Sequence, residues 1–267
     1  MKQSANQSKS ISRRVILMTS EKGGVGKSAA ARLLAETLKS ERSDVMLVDG
    51  DGGVGQLVQF LGARDADRGR LLDPQPSDGV HVFGFHGGEA SRDRLLDLLT
   101  ESTAGVVLVD LPATSLSGLA AMEATLDLSG MLTGLGFSLT VATVITPYRA
   151  SVANVTTAIM SFPNADHVVV RNRGLGIDDD DWDIWNGSNA RKAAEKAGAS
   201  IVDIPFLKTG VLVRLDAANC RFADGDSIAL PVADKRRLRT FLAGGGAALR
   251  AAGDRLGFAT IPASAVA

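Results

Sequence analysis

The seven residues Lys22-Gly23-Gly24-Val25-Gly26-Lys27-Ser28 constrain this chain more than any other stretch. They follow the apolar run Val15-Ile16-Leu17-Met18 and precede a helical pattern that begins near Ala29. A buried strand, a glycine-rich loop and a helix, in that order, form a phosphate cradle. Gly23, Gly24 and Gly26 suit the loop because no Cβ obstructs backbone N–H groups that turn inward. The helix behind it presents the positive end of its dipole to an anion. In such a cradle Lys27 reaches the β- and γ-phosphates and Ser28 Oγ holds Mg²⁺, while Val25 and Ala29 complete the nucleotide-binding positions. With Ser20 and Glu21 included, the run meets the P-loop spacing GxxxxGK[ST] except at its first glycine. It also carries a second lysine, Lys22, inside the loop.

Downstream, aliphatic runs alternate with helical patterns. Strands are expected at Val45–Val48, Val80–Phe85, Gly105–Asp110, Leu139–Thr146, Val168–Val170 and Ser200–Ile204. Helices are expected at Ala29–Leu38, with Leu33, Leu34 and Leu38 on one face, and at Gly118–Leu128, Ser151–Met160 and Asn189–Ala197. A short helix closes at Leu95–Leu99, and Arg64–Asp78, with Pro74 and Pro76, reads as a surface loop. The alternation predicts an α/β fold: a predominantly parallel sheet with helices on both faces. In such sheets ligands bind beyond the carboxyl ends of the strands. Ser20–Ser28, Asp49–Asp51, Asp110 and Asn172 all follow strand ends and so converge on one edge. Asp110 closes the run Val106–Val109 in the manner of a Walker B acid, which holds Mg²⁺.

At 267 residues, 45% of them hydrophobic, the chain can bury one sizeable core. The expected organisation is a flexible tail over 1–13 and a single P-loop domain over 14–267. A net charge of −1 gives no polyelectrolyte-scale attraction to nucleic acid. Cys220 is the only cysteine, which excludes an internal disulfide, argues against paired-cysteine metal sites and fits a reducing cytoplasm. His81, His86 and His167 have no metal-ligand spacing and read as solvated or satisfied. No run reaches the roughly 18–20 apolar residues of a membrane span, so no integral membrane association is expected. Asp178–Asp181 reads as a solvated turn, with a cation or partner site as the alternative. Trp182 and Trp185, three apart, share a helical face for local packing or as a partner anchor.

The form Lys-Gly-Gly-x-Gly-Lys-Ser resembles the deviant Walker A motif of the ParA/MinD family of ATPases. The resemblance runs from Val15 to about Gly225. In its middle, Leu139–Thr146, Ser161-Phe162-Pro163 and Ile204–Lys208 look like the TraL-type accessory ATPases of conjugative plasmids. It implies a Mg²⁺-dependent ATPase that dimerises on ATP and separates after hydrolysis. Such a switch positions or segregates a cargo: plasmid DNA, conjugation machinery or another assembly. Further implied partners are a protein cargo or adaptor and non-specific DNA. By resemblance Lys22 crosses the dimer interface to the partner's nucleotide, Asp51 orients the attacking water, and Asp49 supports the metal and the loop. Asn172 hydrogen-bonds the adenine, and Pro205 marks where backbone groups contact the base. Where ParA proteins usually continue with Pro-Gln after the second acid, this chain has Gly52-Gly53, so a more mobile loop is expected.

The rival is a metabolic ligase or carboxylase on the same P-loop fold. Such enzymes often lack a counterpart of Lys22 and need a pocket for a second substrate. A metal-cluster carrier would need paired ligands that Cys220 alone does not supply. Near the C-terminus, Leu238, Phe241 and Leu242 share a helical face with Lys235, Arg236, Arg237 and Arg239 around it, the composition of an interfacial helix. Gly244-Gly245-Gly246 is expected to interrupt it. The resulting expectation is a helix packed on the sheet's flank, with its arginines free for weak phosphate contacts and no liposome binding.

Overall fold

The computed structural model describes residues 13–67 and 69–259. The expected N-terminal tail therefore lies outside the described residues, save Arg13. That residue opens the first strand, β1 (Arg13–Thr19), one position earlier than the sequence suggested.

The strands that follow are β2 (Val45–Asp49), β3 (Val80–Val82), β4 (Val106–Asp110), β5 (Phe137–Ile145), β6 (Asp166–Asn172) and β7 (Ser200–Ile204). They form one sheet in the order β3-β2-β4-β1-β5-β6-β7, every pairing parallel. Central strands buried on both faces need aliphatic side chains at every position rather than at alternate ones. Val106-Val107-Leu108-Val109 and Val15-Ile16-Leu17-Met18 meet that need, each residue being at most 1% exposed.

One face of the sheet packs α1 (Lys27–Glu41) and α10 (Val232–Arg250). Ile16, Met18, Val106 and Leu108 point into that core with Leu33, Leu34 and Leu38, the apolar stripe read from the sequence. The other face receives α3 (Glu89–Glu101), α4 (Leu116–Leu126) and α5 (Leu128–Gly134) over Val15, Leu17, Val107 and Val109. A single helix over Gly118–Leu128 is thus corrected to two. Asp127 adopts φ 49° and its carboxylate accepts the N–H of Gly130, which ends α4 and starts α5.

A third cluster joins α6 (Arg149–Ser161), α7 (Asp183–Asn186) and α8 (Asn189–Lys196). Trp182 and Trp185 lie inside it, fully buried, and Trp182 Nε1 donates to the Gly176 carbonyl at 2.9 Å. The tryptophans are packing residues. Asp178–Asp181 is an exposed turn in which Asp179 pairs with Arg173. The helices α2 (Gln56–Leu61) and α9 (Thr209–Ala217) complete the fold. No helix among the described residues is long and apolar enough to cross a membrane.

Two expectations for the C-terminal helix change. First, α10 runs through Gly244-Gly245-Gly246 without a break. Glycines cost a helix roughly 1 kcal/mol each relative to alanine, but here they let α10 sit close on α1. A Cβ on Gly245 would meet Leu33 Cδ2 at 2.5 Å, and both Gly245 and Gly246 are buried. Second, the basic residues are not free. Arg237 pairs with Asp234 at 2.6 Å, Arg239 with Asp226 at 2.7 Å, and Lys235 donates to the Asp226 carbonyl. The would-be interfacial face is spent as well, since Leu238 and Phe241 are buried in the core.

The glycine argument makes a divided prediction. Gly244 is exposed and a Cβ there meets nothing nearer than 3.7 Å, so Gly244→Ala should stabilise by up to about 1 kcal/mol. Gly245→Val overpacks the seam and should cost about 1–3 kcal/mol. Urea unfolding of both variants checks the opposite signs.

Candidate functional site

The edge formed by the carboxyl ends of β1, β2, β4 and β6 gathers the residues singled out above. Register does the gathering: Met18 lies opposite Asp110 on one side of β4, and Asp49 lies opposite it on the other. The chain leaves β1 through the loop 20–26, in which Gly24 and Gly26 take φ 75° and 85°. Those left-handed values favour glycine, and a Cβ on Gly26 would also overlap Asn172 Nδ2. Val25 is buried and pins the loop to the core. Lys27 opens α1, so the N-terminal N–H groups of that helix face the loop's concave side.

Lys27 Nζ lies 2.5 Å from Asp110 Oδ1 and donates to Ser28 Oγ at 3.2 Å. Burial pushes the Asp110 carboxyl above its ordinary range, and the Lys27 charge and the Ser28 hydroxyl pull it back. Hydroxyl, carboxylate and ammonium thus form one buried, hydrogen-bonded group at the mouth of the loop. Ser28 and Asp110 are hard oxygen donors of the kind that Mg²⁺ takes beside phosphate and water. The described residues contain no cluster of three or more His, Cys, Asp or Glu for a cage built wholly from protein. The donor set fits a metal shared with a nucleotide.

Asp49 is fully buried, and burial raises its carboxyl. Its two oxygens accept the N–H groups of Asp51 (3.1 Å) and Val58 (3.0 Å), which ties the turn after β2 to the first turn of α2. Its visible work is to hold the loop. Gly55 is required beside it, since a Cβ there would overlap the carboxylate. Asp51 is exposed, yet near enough to raise both the Asp49 and the Asp110 carboxyls.

The expected mobile Gly52-Gly53 segment is anchored on its inner side. Gly52 donates to the Phe83 carbonyl and Phe85 to the Gly50 carbonyl, which pairs Asp51 with Gly84. Gly52 and Gly53 adopt φ 69° and 88°, so the two glycines make the turn geometrically possible.

Lys22 is exposed at the loop's outer end, its Nζ 5.4 Å from the Tyr148 ring centroid. Asn172 ends β6 against the inside of the same loop. With Pro205, Gly24, Ala29 and Phe206 it lines a cavity of about 220 Å³ beside the P-loop. A larger groove of about 800 Å³ between α6, α7 and α8 is lined by Arg149, Asp183 and Asn189 among others and shares no P-loop residue.

Some residues of the site escaped the sequence reading. Glu21, which occupies the motif's first-glycine position, accepts the Leu116 N–H at 2.7 Å and so clamps the P-loop to the start of α4. Thr114, at φ 61°, donates its N–H to the Ser20 carbonyl. His86 bonds the Ala113 carbonyl and links the loop after β3 to the loop after β4. The departure of Glu21 from the motif was the one available signal. The other two contacts depend on backbone placement.

No protein-family model matches the chain. Among curated proteins it is similar to protein MobD of Acidithiobacillus ferrooxidans. The two are 26% identical over 191 residues, which cover 72% of this chain and 77% of MobD. Similar solved structures include a ParA family ATPase from Chlorobium tepidum (17% identity, TM-score 0.47, 87% of this chain and 99% of that one). Another is the septum site-determining protein MinD of Pyrococcus horikoshii with Mg-ADP (16% identity, TM-score 0.49, 91% and 98%). A third is a plasmid partition protein, so described, of Borrelia burgdorferi bound to AMPPNP (12% identity, TM-score 0.46, 86% and 97%). These neighbours are ATPases and nucleotide-binding proteins of the group that the Lys22–Ser28 motif resembles. The chain itself is an α/β protein with a P-loop set on an all-parallel sheet.

Proposed function

We propose that this protein is a Mg²⁺-dependent ATPase whose bound nucleotide switches it between a monomer and a homodimer, and that the switch positions or segregates a cargo. The observation that carries the reading is the buried group of Lys27, Ser28 and Asp110 at the mouth of the loop. It is a set of charges with no structural need for a glycine-rich turn beside it.

In this reading Lys27 exchanges Asp110 for phosphate oxygens, and the N–H groups of Gly23 to Ala29 close on the same phosphates. Ser28 and Asp110 are then free to hold Mg²⁺, while Asp49 keeps the loop in register. Mg²⁺, when bound, offsets the negative charge of the β- and γ-phosphates. Asp51, on its anchored turn, orients the attacking water. The base occupies the cavity beside Pro205. Lys22, exposed and held only by an aromatic face, is available to a second copy. The cargo is of the kind implied by the resemblance: plasmid DNA, conjugation machinery or another cellular assembly, reached directly or through an adaptor. Because the basic residues of α10 are largely engaged within the protein, we assign no DNA-binding role to that helix.

The test is light scattering with Mg²⁺ and a non-hydrolysed ATP analogue. Wild type should shift from monomer to dimer mass. Lys22→Ala should stay monomeric while binding the analogue within about threefold of wild type, because an exposed cation–π contact contributes only about 0.5–1 kcal/mol. A Lys22→Ala protein that dimerises normally removes the cross-interface role.

A further inference from the structure

Asn172 sits at the end of β6, where its resemblance role would be to read the base. Its side chain is already committed elsewhere. Oδ1 accepts the Gly174 N–H at 2.9 Å, and Nδ2 donates to the Val25 carbonyl at 2.8 Å. The amide orientation follows from the partners: an N–H can only be met by the oxygen and a carbonyl only by the NH₂ group.

Val25 lies between the two left-handed glycines, in the part of the loop with the greatest backbone freedom. A trans peptide holds its C=O and the following N–H in one plane, pointing in opposite directions. Fixing the Val25 carbonyl therefore fixes the direction of the Gly26 N–H, one of the donors that the cradle needs. The lack of a Cβ on Gly26 is what admits the Asn172 amide this closely.

We infer that Asn172 is a positioning residue for the P-loop: it braces the Val25–Gly26 peptide in its phosphate-binding orientation and does not select the base. This rests on the nucleotide-binding reading above, and it shifts Asn172 from the base to the phosphates. A base reader and a brace differ in what happens with a ligand that has no base.

The experiment compares wild type, Asn172→Ala and Asn172→Asp for Mg²⁺-dependent binding of ATP, GTP and inorganic tripolyphosphate by calorimetry. Amide hydrogen exchange over residues 22–28 is measured without ligand. A brace predicts that Asn172→Ala weakens ATP and tripolyphosphate by the same factor, about fivefold to tenfold. The ratio of ATP to GTP affinity should stay unchanged. Asn172→Asp should weaken both further, because its carboxylate would face the Val25 carbonyl oxygen. Exchange over 22–28 should quicken in both variants. Loss of ATP binding with tripolyphosphate unaffected, or a collapsed ATP-to-GTP ratio, would overturn the brace in favour of base reading. If wild type binds none of the three ligands, the nucleotide reading itself fails, and unchanged exchange in the variants would separately overturn the brace.

Discussion

Lys27→Ala is expected to weaken ATP binding by at least about 100-fold and, separately, to lower the stability of the ligand-free fold. The first effect follows from truncating a charged, desolvated partner of the phosphates, a change that costs about 2–5 kcal/mol in comparable pairs. The second follows from the ion pair. Lys27 and Asp110 are 8% and 3% exposed, and removing one member of a buried pair typically costs about 3–5 kcal/mol.

The cost should depend on pH in a defined direction. Burial already raises the Asp110 carboxyl, and Lys27 is the strongest influence opposing that rise. Without Lys27 the folded-state value climbs further above the unfolded one. Between the two values the folded protein then holds a proton that the unfolded chain does not, so stability falls as pH rises. Lys27→Ala should therefore recover part of its deficit between pH 8 and pH 5, relative to wild type over the same range. Adding Asp110→Asn should recover stability at pH 8 without recovering ATP affinity. Urea unfolding across pH, beside calorimetry with ATP, separates the two effects. ATP affinity within a few-fold of wild type in Lys27→Ala would refute the phosphate role of the loop.

The parts of the fold most legible in the sequence were those set by local chemistry. A run such as Val106–Val109 leaves no polar face, so it has to be a strand covered on both sides. Glycines before Lys27-Ser28 leave little alternative to a strand–loop–helix turn. The site's membership was legible for the related reason that every strand of a parallel sheet ends on the same edge. What was not legible depended on distance in sequence. Gly244-Gly245-Gly246 reads as a helix breaker until Leu33, more than 200 residues earlier, is seen to occupy the space that a Cβ would need. Likewise Arg237 and Arg239 read as an exposed basic face until Asp234 and Asp226 fold against them. Asn172 was found by its place at a strand end, but its partners, Val25 and Gly174, emerge only when β6 is set beside the loop. Helix α9 carries too short an apolar pattern to stand out, and Val211 and Leu215 gain their meaning from the core they enter.

Asp51→Ala should bind MgATP at least as tightly as wild type, dimerise with it, and hydrolyse it about 100-fold more slowly or worse. Asp51 touches neither Lys27 nor the P-loop backbone, so the binding apparatus survives its loss. Removing its negative charge from beside Asp49 and Asp110 also lowers the repulsion that incoming phosphates meet. The backbone of residue 51 stays fixed, because its N–H bond to Asp49 and its pairing with Gly84 do not involve the side chain. The substitution is thus confined to the carboxylate, and positioning or proton abstraction by a carboxylate contributes typically about 10²–10⁴-fold. Asp51→Asn separates these two contributions. An amide can still orient a water but accepts a proton poorly, so its rate should fall between wild type and alanine if orientation matters most. Single-turnover hydrolysis, with the dimer lifetime followed by light scattering, measures both quantities in one sample. Slow turnover with a long-lived dimer is the expected result. Wild-type turnover in Asp51→Ala would move the water-orienting role to another residue, and loss of ATP binding would make Asp51 part of the metal site or of the loop's support.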